Sequence, residues 1–178
     1  MVGTATPDLE LWPIGNCQVS ALVDREGAVV WACVPRVDGD PVFCSLLNGD
    51  NRDTGIWRFE LVGQVSATQE YIRNTPILVT RLEAADGSVV EITDFCPRFE
   101  RRGRMYRPVS FIRLVRPVKG APQVRVALRL ADALDLAEDK IRLIARYVGG
   151  GFGSKLGISQ DVVAASIAAM SSALRGFG

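Results

Sequence analysis

The sequence of 178 residues contains no histidine. That absence excludes Ser-His-Asp and Cys-His catalysis and every zinc site that needs an imidazole ligand. Cysteine is scarce: the four are Cys17, Cys33, Cys44 and Cys96, separated by 16, 11 and 52 positions, with no Cys-x-x-Cys pair. Zinc-ribbon and haem-attachment signatures are therefore missing. Each cysteine has apolar neighbours, as in Trp31-Ala32-Cys33-Val34, which predicts buried free thiols rather than disulfides. Charge of one sign is also lacking. Lys and Arg number 21 and Asp and Glu 20, a formal net charge of +1. That balance gives no reason to expect nucleic acid or an anionic membrane as partner. Residues 1–10 have neither a basic region nor an apolar run, so no signal peptide is expected. The longest uncharged stretch with helical character, Val162 to Leu174, falls short of the roughly 20 residues that span a bilayer. A soluble, cytoplasmic protein is the expectation.

What is present is 48% apolar and reads as a globular fold. Residues 15 to about 130 read as strands. Gln18 to Val23 and Ala28 to Val34 flank Asp24-Arg25-Glu26-Gly27, a turn sequence, and predict a hairpin. Trp57-Arg58-Phe59-Glu60-Leu61-Val62 alternates apolar and charged residues, the pattern of a half-buried strand. Ile77 to Glu83 alternates likewise, and Asp86-Gly87 turns it into Val89 to Phe95. Phe111 to Val115 and Val124 to Leu130 are expected to form a further pair, joined through Pro117, Gly120 and Pro122. Short strands with turn signals between them indicate an antiparallel β-sandwich, so the fold class is mainly β.

Two segments read as loops. Pro35 to Pro41 has a proline at each end. Arg98 to Arg107 holds five arginines and one glutamate. It reads as a solvated hairpin loop, with an anion or partner contact as the alternative. After Leu130 the character changes, and the boundary between two units, 1–130 and 131–178, is placed there. Ile141 to Val148 is expected to be a strand and Gly149 to Gly153 a glycine-rich loop. Ser159 is expected to cap an α-helix running to about Leu174, with Val163, Ile167, Met170 and Leu174 on one face.

The series Leu9-Glu10-Leu11-Trp12-Pro13-Ile14-Gly15-Asn16-Cys17, Ser20 to Asp24, Trp31 to Phe43, Tyr71-Ile72-Arg73-Asn74-Thr75 and Val90 to Arg98 resembles the N-terminal, trehalase-like domain of glycoside hydrolase family 15. The resemblance covers about residues 8 to 130. It implies a β-sandwich, here cut short, that serves a helical toroid holding both catalytic carboxylates. The implied function is a non-catalytic module of carbohydrate metabolism whose partner is that missing catalytic (α/α) domain. On this resemblance Arg36 and Asp38 are candidate substrate or domain contacts, or else only hold their loop together. Glycoside hydrolysis needs two carboxyl groups about 5 to 9.5 Å apart beside a cleft. Asp38 with Asp40, and Glu91 with Asp94, are the nearby pairs. Glu91 is expected to point outward from its strand and Asp94 to close a turn, so no catalytic residue is assigned.

The stretch Lys140 to Lys155, with Tyr147-Val148-Gly149-Gly150-Gly151-Phe152-Gly153, resembles the glycine-rich segment of molybdopterin-binding subunits in the xanthine dehydrogenase and aldehyde oxidase family. That resemblance covers about residues 138 to 170 and implies Gly150, Gly151, Phe152 and Gly153 as cofactor contacts. The family's catalytic glutamate and its other cofactor loops are absent, so no stably held cofactor is expected. Ser154 and Leu156 break the dinucleotide and P-loop patterns respectively. The chain thus reads as a chimera. The alternatives to the glycoside hydrolase module are a fragment of a molybdopterin-dependent hydroxylase, or a structural and interaction module that self-associates through open sheet edges.

Overall fold

The alternation at residues 56–61 becomes a strand in which Ile56, Trp57, Phe59 and Leu61 are buried while Arg58 and Glu60 are half-buried. Around it the computed structural model describes residues 9–49, 54–131 and a strand at 163–166. The first sheet contains β1 (Trp12–Gly15), β2 (Ser20–Val23), β3 (Val29–Cys33), β4 (Pro41–Phe43), β5 (Ile56–Leu61) and β12 (Val124–Arg129). Its order is β1-β2-β3-β5-β12, with β4 paired to β3. The second contains β6 (Gln64–Tyr71), β7 (Leu78–Ala84), β8 (Val89–Phe95), β11 (Ile112–Lys119) and β13 (Val163–Ser166), in the order β13-β11-β8-β7-β6. A separate ribbon is made of β9 (Phe99–Arg101) and β10 (Arg104–Tyr106). The pairings are antiparallel, and the mainly β sandwich that the turn signals predict is the observed fold.

Both sheets feed the core. Ile14, Val23, Val29, Phe43 and Trp57 of the first sheet pack with Leu78 of the second and with Phe111. Phe59 and Leu61 meet Leu82, Val90, Ile92 and Val115 in a second cluster. Each fully buried large side chain contributes about 1.5–3 kcal/mol relative to exposure.

The hairpin turns form where the sequence places them. Gly27, at φ 80°, donates from its N–H to the Asp24 carbonyl at 3.0 Å. Gly87, at φ 79°, closes the β7–β8 turn onto the Ala84 carbonyl at 2.9 Å. These are left-handed conformations in which a glycine avoids the Cβ clash.

Two expectations are corrected. Phe111–Val115 and Val124–Leu130 become β11 and β12, but they do not pair with each other. β11 pairs with β8 in the second sheet, and β12 pairs with β5 in the first. Pro117 has no N–H to continue a ladder, and the register slips between Pro117 and Lys119. Gly120, at φ 71°, then passes so close to Ser88 that an added Cβ would lie 2.6 Å from Oγ. The chain crosses between sheets there, and the Val62 N–H reaches the Gln123 carbonyl at 2.9 Å.

The second correction concerns the expected helix from Ser159. Val163–Ser166 is a strand, antiparallel to Ile112–Val115 of β11. An edge of backbone donors and acceptors is available at β11, and at residues 163–166 pairing with it overrides the helical spacing of Val163, Ile167, Met170 and Leu174. The rest of that expected helix, the expected strand 141–148 and the glycine loop 149–153 lie outside the described residues.

Candidate functional site

The most constrained polar group in the described residues lies between the sheets. Arg113 and Asp94 are directly opposite in the β8–β11 register, and both side chains are fully buried. Arg113 Nε donates to Asp94 Oδ1 at 2.8 Å and Nη2 to Oδ2 at 3.0 Å. Nη1 donates to the Trp57 carbonyl at 2.6 Å, and Nη2 also reaches the Gly27 carbonyl. The guanidinium lies 5.2 Å from the Trp57 ring centroid and 5.0 Å from that of Phe59. Planar, fork-shaped donors suit this task, because one group satisfies a carboxylate on its own sheet and two carbonyls on the other.

Asp94 therefore does not close a turn. It sits inside β8, with its carboxyl pushed up by burial and held back by the facing Arg113 charge. Glu91 does point away from Val90 and Ile92, but it is not solvated. Arg81 Nε contacts its Oε2 at 3.0 Å and Arg116 Nη2 its Oε1 at 2.6 Å, and those side chains leave its own 5% exposed. Both carboxylates are consumed by arginines and neither faces a cleft, so the geometry of paired hydrolytic carboxyls is not met by them.

Arg36 and Asp38 occur together in the loop after β3. Nη2 contacts Oδ2 at 2.6 Å and Nε contacts Oδ1 at 2.9 Å, a bidentate pair on the surface. The Arg36 hydrogen bond holds the Asp38 carboxyl below its ordinary range. The Gly39 N–H closes the loop onto the Arg36 carbonyl at 3.1 Å. The two residues engage each other across the loop, and Asp40 instead offers its carbonyl to the Val34 N–H at 3.2 Å.

A concavity of about 180 Å³ opens beside the β2–β3 turn. Its apolar lining includes Leu11, Val30, Leu46 and Ile56, and its rim carries Asp24, Glu26 and Arg58. Asp24 Oδ1 accepts the N–H groups of Glu26 at 3.0 Å and Ala28 at 2.8 Å, so it is spent on the turn. Burial raises its carboxyl above the ordinary value, against those two hydrogen bonds. The volume falls below the roughly 300–1,000 Å³ of ligand pockets.

The thiols divide by position. Cys33 and Cys96 are buried, as expected, and Cys44 is half-buried. Cys17 is exposed, which corrects the expectation for it: it takes φ 70° in the tight turn between β1 and β2, and its sulfur lies 3.6 Å from Arg98 Nη1. All four are free. Among the described residues, no cluster of three or more Cys, Asp or Glu could hold a metal ion, and no helix is long and apolar enough to cross a membrane.

Sequence reasoning passed over Asn16, which is 2% exposed. Its Nδ2 donates at 2.9 Å to the carbonyls of both Pro97 and Pro108, the two roots of the β9–β10 ribbon. Its Oδ1 accepts the N–H groups of Gln18 at 2.9 Å and Val19 at 3.1 Å. The arginine-rich segment is thus a fixed two-stranded ribbon. Phe99 and Tyr106 stack across it at 5.6 Å. The signal available was the asparagine between Gly15 and Cys17, a residue type that caps turns.

Molybdopterin is the one cofactor suggested by the resemblances. Of the described residues in that part of the chain, Val124–Arg129 form the edge strand β12, and none of residues 122–131 lines the concavity. Gly150, Gly151, Phe152 and Gly153 lie outside the described residues. In comparisons with known proteins, residues 122–174 match the family model of the molybdopterin cofactor-binding domain. No curated protein and no solved structure matches the chain. The matched stretch begins within the sandwich and takes in β12 and β13, one strand from each sheet.

Proposed function

We propose that the chain is a non-catalytic antiparallel scaffold whose C-terminal stretch is a piece of the cofactor domain of a molybdopterin-dependent hydroxylase. The observation that carries this reading is the family match over residues 122–174. It coincides with the glycine-rich stretch whose resemblance points to xanthine dehydrogenase relatives. The non-catalytic part rests on Asp94 and Glu91, both bound by arginines. Glycines at 149–151 and 153 let backbone amides approach an anionic group closely, while a cofactor of this size needs contacts from several sides. Titration of the full chain with free molybdopterin, followed by pterin fluorescence, should give weak saturable binding that Gly150→Val with Gly151→Val removes. Absence of binding would overturn the cofactor-domain reading. Molybdenum recovered in stoichiometric amount with the purified chain, together with hydroxylase turnover, would overturn the non-catalytic one.

A second reading applies to about residues 8–130. It is the N-terminal module of a glycoside hydrolase of the glucoamylase and trehalase type, serving a separate (α/α) catalytic domain. Its support is the resemblance carried by the series from Leu9 to Arg98. Asn16 ties the ribbon root and Asp94 anchors the cross-sheet arginine, while Trp31 and Cys33 lie in β3. Glucose release from maltooligosaccharide or trehalose by the chain alone would refute the non-catalytic role in this reading too.

A further inference from the structure

The β9–β10 ribbon has no part in the proposed function, and its construction is specific. Its root is fixed on both sides by Asn16, through the Pro97 and Pro108 carbonyls. Its tip is a two-residue turn in which Arg102 and Gly103 are both left-handed, at φ 53° and 69°. Turns of that hand match the twist of a two-stranded ribbon and fix its register. All six strand residues are nevertheless exposed. Phe99, Met105 and Tyr106 are 47%, 49% and 42% exposed, a concentration of large apolar side chains on one small element.

The register sorts the two faces. Phe99 is opposite Tyr106 and Arg101 is opposite Arg104, so the four share one face, aromatics toward the root and arginines toward the tip. Met105 is opposite Glu100 on the other. Five arginines against one glutamate give residues 98–107 a net +4, so the remainder of a chain at +1 carries −3. Residues 98–107 hold no Lys, Ser, Ala or Asp. Arginine, methionine and aromatics with those types depleted is the composition of protein–protein contact surfaces.

We infer that this ribbon is a preformed docking element for a protein partner whose surface has an apolar centre beside a cluster of carboxylates. The stacked Phe99–Tyr106 pair supplies the apolar anchor, and Arg101 and Arg104 supply forked donors for carboxylates. Fixing both root and turn before binding lowers the ordering cost of association. A compact acidic face fits better than a polynucleotide. The rings already stack on each other, and a long polyanion would also run over a remainder that is net negative.

The test uses the full chain and three fluorescent probes: a short peptide alternating leucine and glutamate, a glutamate-only peptide of equal charge, and a short oligothymidylate. Fluorescence anisotropy should show the leucine–glutamate peptide bound roughly tenfold or more tightly than the glutamate-only peptide. Arg101→Glu with Arg104→Glu should weaken it by roughly tenfold or more. Phe99→Ser with Tyr106→Ser should reduce it to the level of the glutamate-only peptide. Circular dichroism and the thermal midpoint of each variant serve as the folding control, because the substituted side chains are exposed. Equal binding of the two peptides, no effect of either double substitution in a folded variant, or tighter binding of oligothymidylate would each overturn the inference.

Discussion

Arg113 is the residue on which the two sheets converge, because it holds Asp94 of its own sheet and the Trp57 and Gly27 carbonyls of the other. Replacing it by methionine leaves a buried carboxylate and two carbonyls without their donor. The expected loss is about 3–5 kcal/mol, read as a fall in the urea midpoint at an unchanged slope. Asp94→Leu combined with Arg113→Met should lose less than Arg113→Met alone, since no charge is then stranded. If the double variant is the less stable of the two, the pair is worth more than its desolvation cost. The thiols give a second residue-scale prediction. Burial first, and then the Asp94 charge, push the Cys96 thiol up to about 12, which leaves almost no thiolate at neutral pH. Cys17 alone is exposed. A disulfide reagent should therefore titrate one fast thiol in the native chain. Cys17→Ser should remove that phase, and Cys33 and Cys96 should react only on unfolding.

At the scale of elements, the β7–β8 hairpin shows what local chemistry dictates. Alternation sets both strands, Asp86-Gly87 sets the turn, and Asp86 Oδ1 accepts the Ser88 N–H at 2.8 Å. That hydrogen bond holds the Asp86 carboxyl below its ordinary value of 3.8, so the folded state favours the ionised form. The stability it supplies is present above that value and is lost as pH falls through the lower folded value. Asp86→Asn should flatten this acid-side dependence of the thermal midpoint, and an unchanged pH profile would show that the turn does not titrate. This hairpin was legible because period, turn residue and pairing partner are all local. β11 and β12 were legible as strands but not as partners: the partner of each is distant in sequence, and Gly120 gives no sign that the chain changes sheet. Asp94 was misread for a related reason. Thr93-Asp94-Phe95 looks like a strand end until Arg113, 19 residues on, is placed opposite. The role of Asn16 needed the roots at 97 and 108, which are 81 and 92 residues away.

For the whole molecule, the question of physics is how the sandwich covers the edge of β11. An uncovered strand edge invites pairing with another chain. In the second sheet, the edge of β11 at Ile112–Val115 is covered by Val163–Ser166, from the stretch that matches the molybdopterin cofactor-binding domain. The expected helix would have left that edge bare. Ala164→Pro with Ala165→Pro removes two adjacent backbone N–H groups of β13, and one of them points toward β11 whichever way the ladder is phased. The pairing should then fail while β11 keeps its ladder to β8. Faster amide exchange at Ile112–Val115, with unchanged far-ultraviolet circular dichroism, should mark the uncovered edge. Sedimentation should show more concentration-dependent oligomer than the unsubstituted chain forms. Unchanged exchange and sedimentation would mean that this strand does not guard the edge, and that the rest of the sandwich limits association by itself.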